Sequence, residues 1–185
     1  KKISKLKINY VINSGGYINH ELFFSQKGKQ SFLEHFDSVK NLVSCLNKTH
    51  LKKFVQIGSS DEYGGNISPQ KENMRESAIS PYSLGKVAST HFLQMLHKTE
   101  NFPCVILRLF LVYGPRQSLD RFIPQVIQGC LDNKKFDTTI GNQIRDFCYI
   151  DDVINAILIS ISNESVNGEL INIASVNKQI ISPRE

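Results

Sequence analysis

The chain has 185 residues, 41% apolar and 21% charged, with a formal charge of +5. This is ordinary globular composition, and no apolar run approaches the roughly 20 residues of a helical membrane span. The positive charge gathers in the opening KKISKLK and at Lys52-Lys53, with no basic stripe interleaved with aromatics, so neither nucleic acid nor a membrane is expected as a partner.

Taken in order, Lys7 to Asn13 (KINYVIN) reads as a strand, followed by Ser14-Gly15-Gly16. Glycines just past a strand let a backbone or a ligand come close. Phe32, Phe36, Val39, Val43 and Leu46 recur at steps of three and four, which predicts an amphipathic helix over Gln30 to Thr49. Phe54 to Gly58 (FVQIG) is a second strand ending in Ser59-Ser60, and a polar loop follows from Asp61. Ser80 and Pro81 suit the N-cap and first position of a helix that runs to about Lys98. Tyr82 and Lys86 share one face of it. Leu84, Ala88, His91 and Met95 form a stripe nearly opposite, expected to pack on the sheet. A phenol beside an ammonium is a usable acid–base unit, because the positive charge favours the phenolate.

Cys104 to Val112 (CVILRLFLV) reads as one buried parallel strand, broken by Tyr113-Gly114-Pro115. Helices are expected over Arg121 to Leu131 and Asp151 to Ser162, and a last strand over Leu170 to Ala174. Ser182-Pro183-Arg184-Glu185 looks like the start of a further helix, and the first residue is Lys, so a piece of a longer protein is expected. Cys45, Cys104, Cys130 and Cys148 show no CxxC spacing and the five histidines no metal-ligand spacing. Reduced, mostly buried cysteines in a cytoplasmic protein are the expectation, with no signal peptide visible and no metal site. Alternating strands and helices predict an α/β fold, a doubly wound parallel sheet built from right-handed crossovers. Ligands then bind beyond the carboxyl ends of the strands, where Ser14-Gly15-Gly16, Ser59-Ser60-Asp61-Glu62 and Tyr113-Gly114-Pro115 all fall.

FVQIGSSDEYG (54–64), SPYSLGKVAS (80–89), RLFLVYGPRQ (108–117), RDFCYIDDV (145–153) and GELINIAS (168–175) together resemble the extended short-chain dehydrogenase/reductase family, the NAD-dependent nucleotide-sugar epimerases and dehydratases. The likeness runs through nearly the whole chain. It implies an NAD- or NADP-dependent enzyme acting on a nucleotide-activated sugar by hydride transfer, with 4-keto reduction as an alternative outcome. A truncated, non-catalytic binding protein on the same scaffold is the rival of another class. Tyr82 matches the family's acid/base and Lys86 the lysine that holds the nicotinamide ribose. The catalytic Ser/Thr falls at Ser59 or Ser60, with Ser59 favoured by its spacing from Tyr63-Gly64. Asp61 and Glu62 match an acid/base pair suited to dehydration. Ser14, Gly15 and Gly16 join Tyr82 and Lys86 on the cofactor side, and Arg145 and Arg121 on the substrate side. The intact protein is expected to be a homodimer.

The resemblance also marks departures. The Gly-rich dinucleotide fingerprint is missing, so the fold is expected to be incomplete on its amino-terminal side and the chain inactive alone. Leu111 stands where the family often has Asn. Residues 1–114 are expected to form the incomplete dinucleotide-binding domain. Residues 115–185 form part of the small substrate-binding region, with 151–174 packing back on the first.

Overall fold

A computed structural model describes residues 3–135, 137, 140–175 and 180–181. The strands are β1 (Tyr10–Asn13), β2 (Lys53–Ser59), β3 (Cys104–Leu109), β4 (Leu111–Tyr113), β5 (Arg145–Tyr149), β6 (Leu170–Ile173) and β7 (Ile180–Ile181). The helices are α1 (Gln26–Cys45), α2 (Pro81–Glu100), α3 (Phe122–Asp132) and α4 (Ile150–Ser162). They fall into two compact units: the described residues of Lys1–Leu109 with Ala156–Asn172, and those of Phe110–Asn155 with Ile173–Glu185.

The first unit holds a sheet in the order β1-β2-β3-β6. β1 pairs parallel with β2 and β2 parallel with β3, Phe54 opposite Cys104 and Ser59 opposite Leu109. β2 and β3 are covered almost throughout, which is why their apolar runs are continuous rather than alternating. α1 and α2 pack on each other: Phe36 meets Phe92 edge-on at 5.9 Å, and Ser89 donates its hydroxyl to the His35 carbonyl at 2.8 Å. Val39, Val43 and Leu46 join Phe54, Leu93, Leu96, Phe102 and Ile106 in the core.

Several expectations shift. α1 starts at Gln26 rather than Gln30, because Ser25 caps it by accepting the Gly28 N–H. It stops at Cys45, where Leu46 turns extended and enters the core. The stripe of α2 is a correction. Leu84 and Met95 are 47% and 45% exposed, whereas Tyr82, Gly85, Lys86, Ser89 and Leu93 are buried. The buried face mixes small residues, Gly85 and Ser89, with Tyr82, Lys86, Leu93 and Leu96. A Cβ at Gly85 would lie 2.9 Å from the His35 Cβ and 3.1 Å from the Phe32 carbonyl, so the two helices approach more closely than apolar side chains would allow.

The apolar run 104–112 is two strands in two sheets. The Phe110 N–H still donates to the Ile173 carbonyl at the end of β6, and the chain enters the second sheet at Leu111. In the second unit β4 pairs parallel with β5, which the sequence did not announce, and β5 pairs antiparallel with β7. Arg121 is the N-cap of α3 without a side-chain capping bond, and Asn133 closes it in the left-handed conformation. Cys104 and Cys148 are buried, Cys45 is half-buried and Cys130 exposed, all as free thiols. Burial pushes the Cys104 thiol up to about 11, so it is inert at neutral pH. The helix expected over 182–185 lies outside the described residues.

Candidate active site

The site grows from the end of β2. Ser59 is the last strand residue and the N-cap of a single 3-10 turn, Ser60–Glu62. Its Oγ accepts the Asp61 N–H at 3.2 Å, and its own N–H donates to Glu62 Oε1 at 2.9 Å. This reciprocal capping box fixes the Ser59 backbone and leaves its hydroxyl proton available to donate. Ser60 is half-buried one residue further on.

Helix α2 supplies the acid–base pair. Ser80 accepts the Ser83 N–H at 3.1 Å, and Pro81 occupies the first turn, so the helix starts sharply and sets the first-turn position of Tyr82. Tyr82 and Lys86 are only 5% and 6% exposed. Lys86 donates Nζ to the Ile57 carbonyl of β2 at 2.9 Å and stands 5.9 Å from the centre of the Tyr82 ring. Burial lowers the Lys86 pKa, and the Glu62 charge works against that shift.

Two histidines complete the surroundings of Tyr82, and reasoning from spacing missed both because they reach it from other elements. His35 of α1 meets the Tyr82 ring edge-on, 4.7 Å between centroids. Its Nε2 lies 2.8 Å from the Tyr17 carbonyl. Gly16, at φ +122°, has room for no side chain: a Cβ would come within 2.2 Å of the His35 ring. The glycine turn after β1 thus packs on His35. Burial, helped by the Lys86 charge, lowers the His35 pKa and favours its neutral form, with the Tyr17 carbonyl opposing. His20, on the same loop, lies edge-on to Tyr82 at 5.8 Å and places Nε2 3.6 Å from Asp61 Oδ2. Asp61 and Tyr82 therefore flank one histidine. Ser14 and Gly15 are exposed beside them in sequence, with the Gly15 N–H donating to the Asn13 side chain at 3.3 Å.

The acidic pair divides. Asp61 is 41% exposed in its side chain, while Glu62 is fully buried with Arg108 of β3, Nη2 to Oε2 at 2.7 Å. Arg108 also reaches Glu76 at 2.8 Å, and the Tyr63 ring covers its face at 4.4 Å. Burial opposes the Arg108 charge, but the bonds and charge from Glu62 and Glu76 outweigh it and raise the pKa. Glu76 is held below the usual carboxylate range: Arg108 and His91 overcome the desolvation that pushes it up.

Arg121 and Arg145 belong to the second unit and are both exposed. Arg145 opens β5 and donates Nη1 to the carbonyl of adjacent Ile144 at 3.0 Å. Leu111 is 43% exposed at the start of β4. Among the described residues no group of His, Cys, Asp and Glu could hold a metal ion, and no helix is long and apolar enough to cross a membrane.

The chain is similar to dTDP-D-glucose 4,6-dehydratase of Dictyostelium discoideum, 28% identical over 92% of this chain and 42% of that protein. It is 30% identical to an uncharacterized UDP-glucose epimerase of Bacillus subtilis, over 78% of this chain and 46% of the relative. It thus spans about half the length of the curated relatives it matches. Among solved structures, UDP-glucuronic acid 4-epimerase from Bacillus cereus in complex with NAD superimposes with a TM-score of 0.85 at 29% identity, over 97% of this chain and 58% of that one. The family model for the NAD dependent epimerase/dehydratase family matches residues 1–174, and with the Rossmann-like sheet of the first unit it establishes that the chain belongs to that family.

Proposed function

We propose that the intact protein is an NAD- or NADP-dependent enzyme that acts on a nucleotide-activated sugar, with Tyr82 as acid/base. The observation that carries this is the buried Tyr82–Lys86 pair, anchored on the carbonyl of Ile57 near the carboxyl end of β2. Ligands of open α/β sheets bind at that end. The donor set suits the cofactor: Lys86 spends one of its three N–H donors on Ile57 and lies beside a phenol, so both can meet the hydroxyls of a nicotinamide ribose. A bound nicotinamide supplies the hydride acceptor and donor. Ser14 and Gly15 lie on the same side as candidates for the cofactor's surroundings, while the space at Gly16 is used by His35.

Tyr82 takes the proton from a sugar hydroxyl as hydride leaves the same carbon, and returns it on reduction. Lys86 keeps the phenolate form accessible. Ser59 is better supported than Ser60 as the residue that holds the sugar oxygen, because Glu62 holds its N–H and the Asp61 N–H holds its Oγ, while its hydroxyl can still donate. Arg145 and Arg121 suit the diphosphate, since a planar and permanently charged fork pairs two oxygens at once. A cytoplasmic homodimer is part of this reading. The exposed apolar side chains of Leu84 and Met95 on α2 and Leu33 on α1 support the second copy.

The test is a panel of UDP-glucose, UDP-glucuronate and dTDP-glucose, each incubated with the intact protein and NAD or NADP and followed by NMR of the sugar protons. A 4-epimer or a 4-keto sugar is the expected product. Binding of nucleotide sugar without turnover of any of them would favour the binding-protein reading.

A further inference from the structure

The Glu62 carboxylate is shared among three elements of the first unit. Oε1 accepts the Ser59 N–H at 2.9 Å. Oε2 accepts from Thr90 Oγ1 of α2 at 2.8 Å and from Arg108 Nη2 of β3 at 2.7 Å. Its seat is shaped for it: a Cβ at Gly58 would come within 2.8 Å of Oε1 and displace it. Glu62, Arg108 and Thr90 are each at most 1% exposed. Among the described residues Arg108 Nε and Nη1 have no hydrogen-bond partner, so the bonds of Nη2 to Glu62 and Glu76 carry its compensation.

A general acid or base must come within about 2.6–3.2 Å of the proton it moves. Glu62 has both oxygens occupied by the protein and no open side. We infer that Glu62 is a positioning residue that acts through Ser59, holding the end of β2 against α2, and carries no proton in the reaction. This rests on the reading of Ser59 and Tyr82 given above. It deepens that reading, because one carboxylate of the neighbouring pair is withdrawn. Asp61, beside His20, is the one that remains available. The site is then equipped for hydride transfer with Tyr82 as proton carrier, as in epimerisation or 4-keto reduction. It lacks the second carboxylate that loss of water by an acid/base pair would use.

The test uses the intact protein and two variants, Glu62→Gln and the double variant Glu62→Leu with Arg108→Met. The double variant replaces the buried pair by apolar side chains and so removes the carboxylate without leaving a buried charge unpaired. The first readout needs no substrate: amide hydrogen exchange at Ser59, with Val55 of the same strand as reference. Exchange at Ser59 in the double variant should rise by about tenfold or more, as for a locally released segment. Unchanged exchange would overturn the proposal. The second readout is the pH–rate profile with the nucleotide sugar that the panel shows to be turned over. Glu62→Gln should lower kcat by up to about a hundredfold, as a displaced reacting group does, with both limbs of the profile in place. Loss of the acid limb would overturn the proposal and make Glu62 an acid/base. In a Ser59→Ala background, Glu62→Gln should add little, because both changes remove one effect. Multiplying effects would overturn it. Ser59→Ala with full kcat would instead refute the role given to Ser59, and the exchange at Ser59 would still decide whether Glu62 fixes the backbone.

Discussion

Arg108 of the first unit and Arg145 and Arg121 of the second have opposite surroundings. In the first, Arg108 is fully buried and held by Glu62 and Glu76. In the second, Arg145 and Arg121 are exposed, and Arg145 donates to the carbonyl beside it in sequence. The contrast extends to the elements that carry them. β2 and β3 are covered nearly from end to end, whereas β5 has one buried residue, Cys148, and α3 has none. Packing over-determines the first unit, so side chains that need fixed geometry, such as Tyr82, Lys86 and Ser59, are set on it. Arginines on an open surface can instead close around a ligand, at the cost of ordering a long side chain.

The largest effect that would sharpen this contrast is on stability. Arg108→Met leaves Glu62 buried without its cation and should lower the unfolding free energy by about 3–5 kcal/mol. Arg145→Met, on an exposed side chain, should change it by no more than about 0.5 kcal/mol. It should instead raise KM for the nucleotide sugar. Urea unfolding of the intact protein and its two variants measures the first difference, and initial rates measure the second. Equal destabilisation by both changes would erase the distinction between the units.

A smaller effect separates the two cores. Leu93 is fully buried between α2 and the sheet, so Leu93→Ala should lower stability by about 2–5 kcal/mol. Leu131 of α3 is 77% exposed, and Leu131→Ala should stay within about 0.5 kcal/mol. A large loss from Leu131→Ala would mean that α3 has a covered face in the working protein.

Much of the first unit was legible in the sequence because its signals are local. Ser80-Pro81 announces the start of α2, FVQIG reads as a strand, and the apolar run from Cys104 reads as a covered one. The face that α2 buries was not legible. Hydrophobic periodicity pointed to Leu84 and Met95, but the real contact is made by Gly85 and Ser89, whose value lies in close approach rather than apolar area. The change of sheets after Phe110 was hidden because the apolar run continues through it. Order and spacing point to Tyr82, Lys86 and Ser59, and the structure buries Tyr82 and Lys86 side by side. The fate of Glu62 could not, since its partner Arg108 lies 46 residues away and a sequence does not show which of two adjacent carboxylates turns inward. His35 and His20 were missed for the same reason: both reach Tyr82 from other elements.

The proposed chemistry depends on Tyr82 moving the proton. Its most direct test is single-turnover hydride transfer in the intact protein, comparing Tyr82→Phe with the unaltered protein at matched folded fraction. The phenylalanine keeps the ring against His35 and removes only the hydroxyl, so cofactor affinity should hardly change. The rate should fall by about a hundredfold or more, in line with general acid–base contributions. Hydride transfer at the unaltered rate in Tyr82→Phe would contradict the account and return Tyr82 and Lys86 to a purely structural part of the α1–α2 contact.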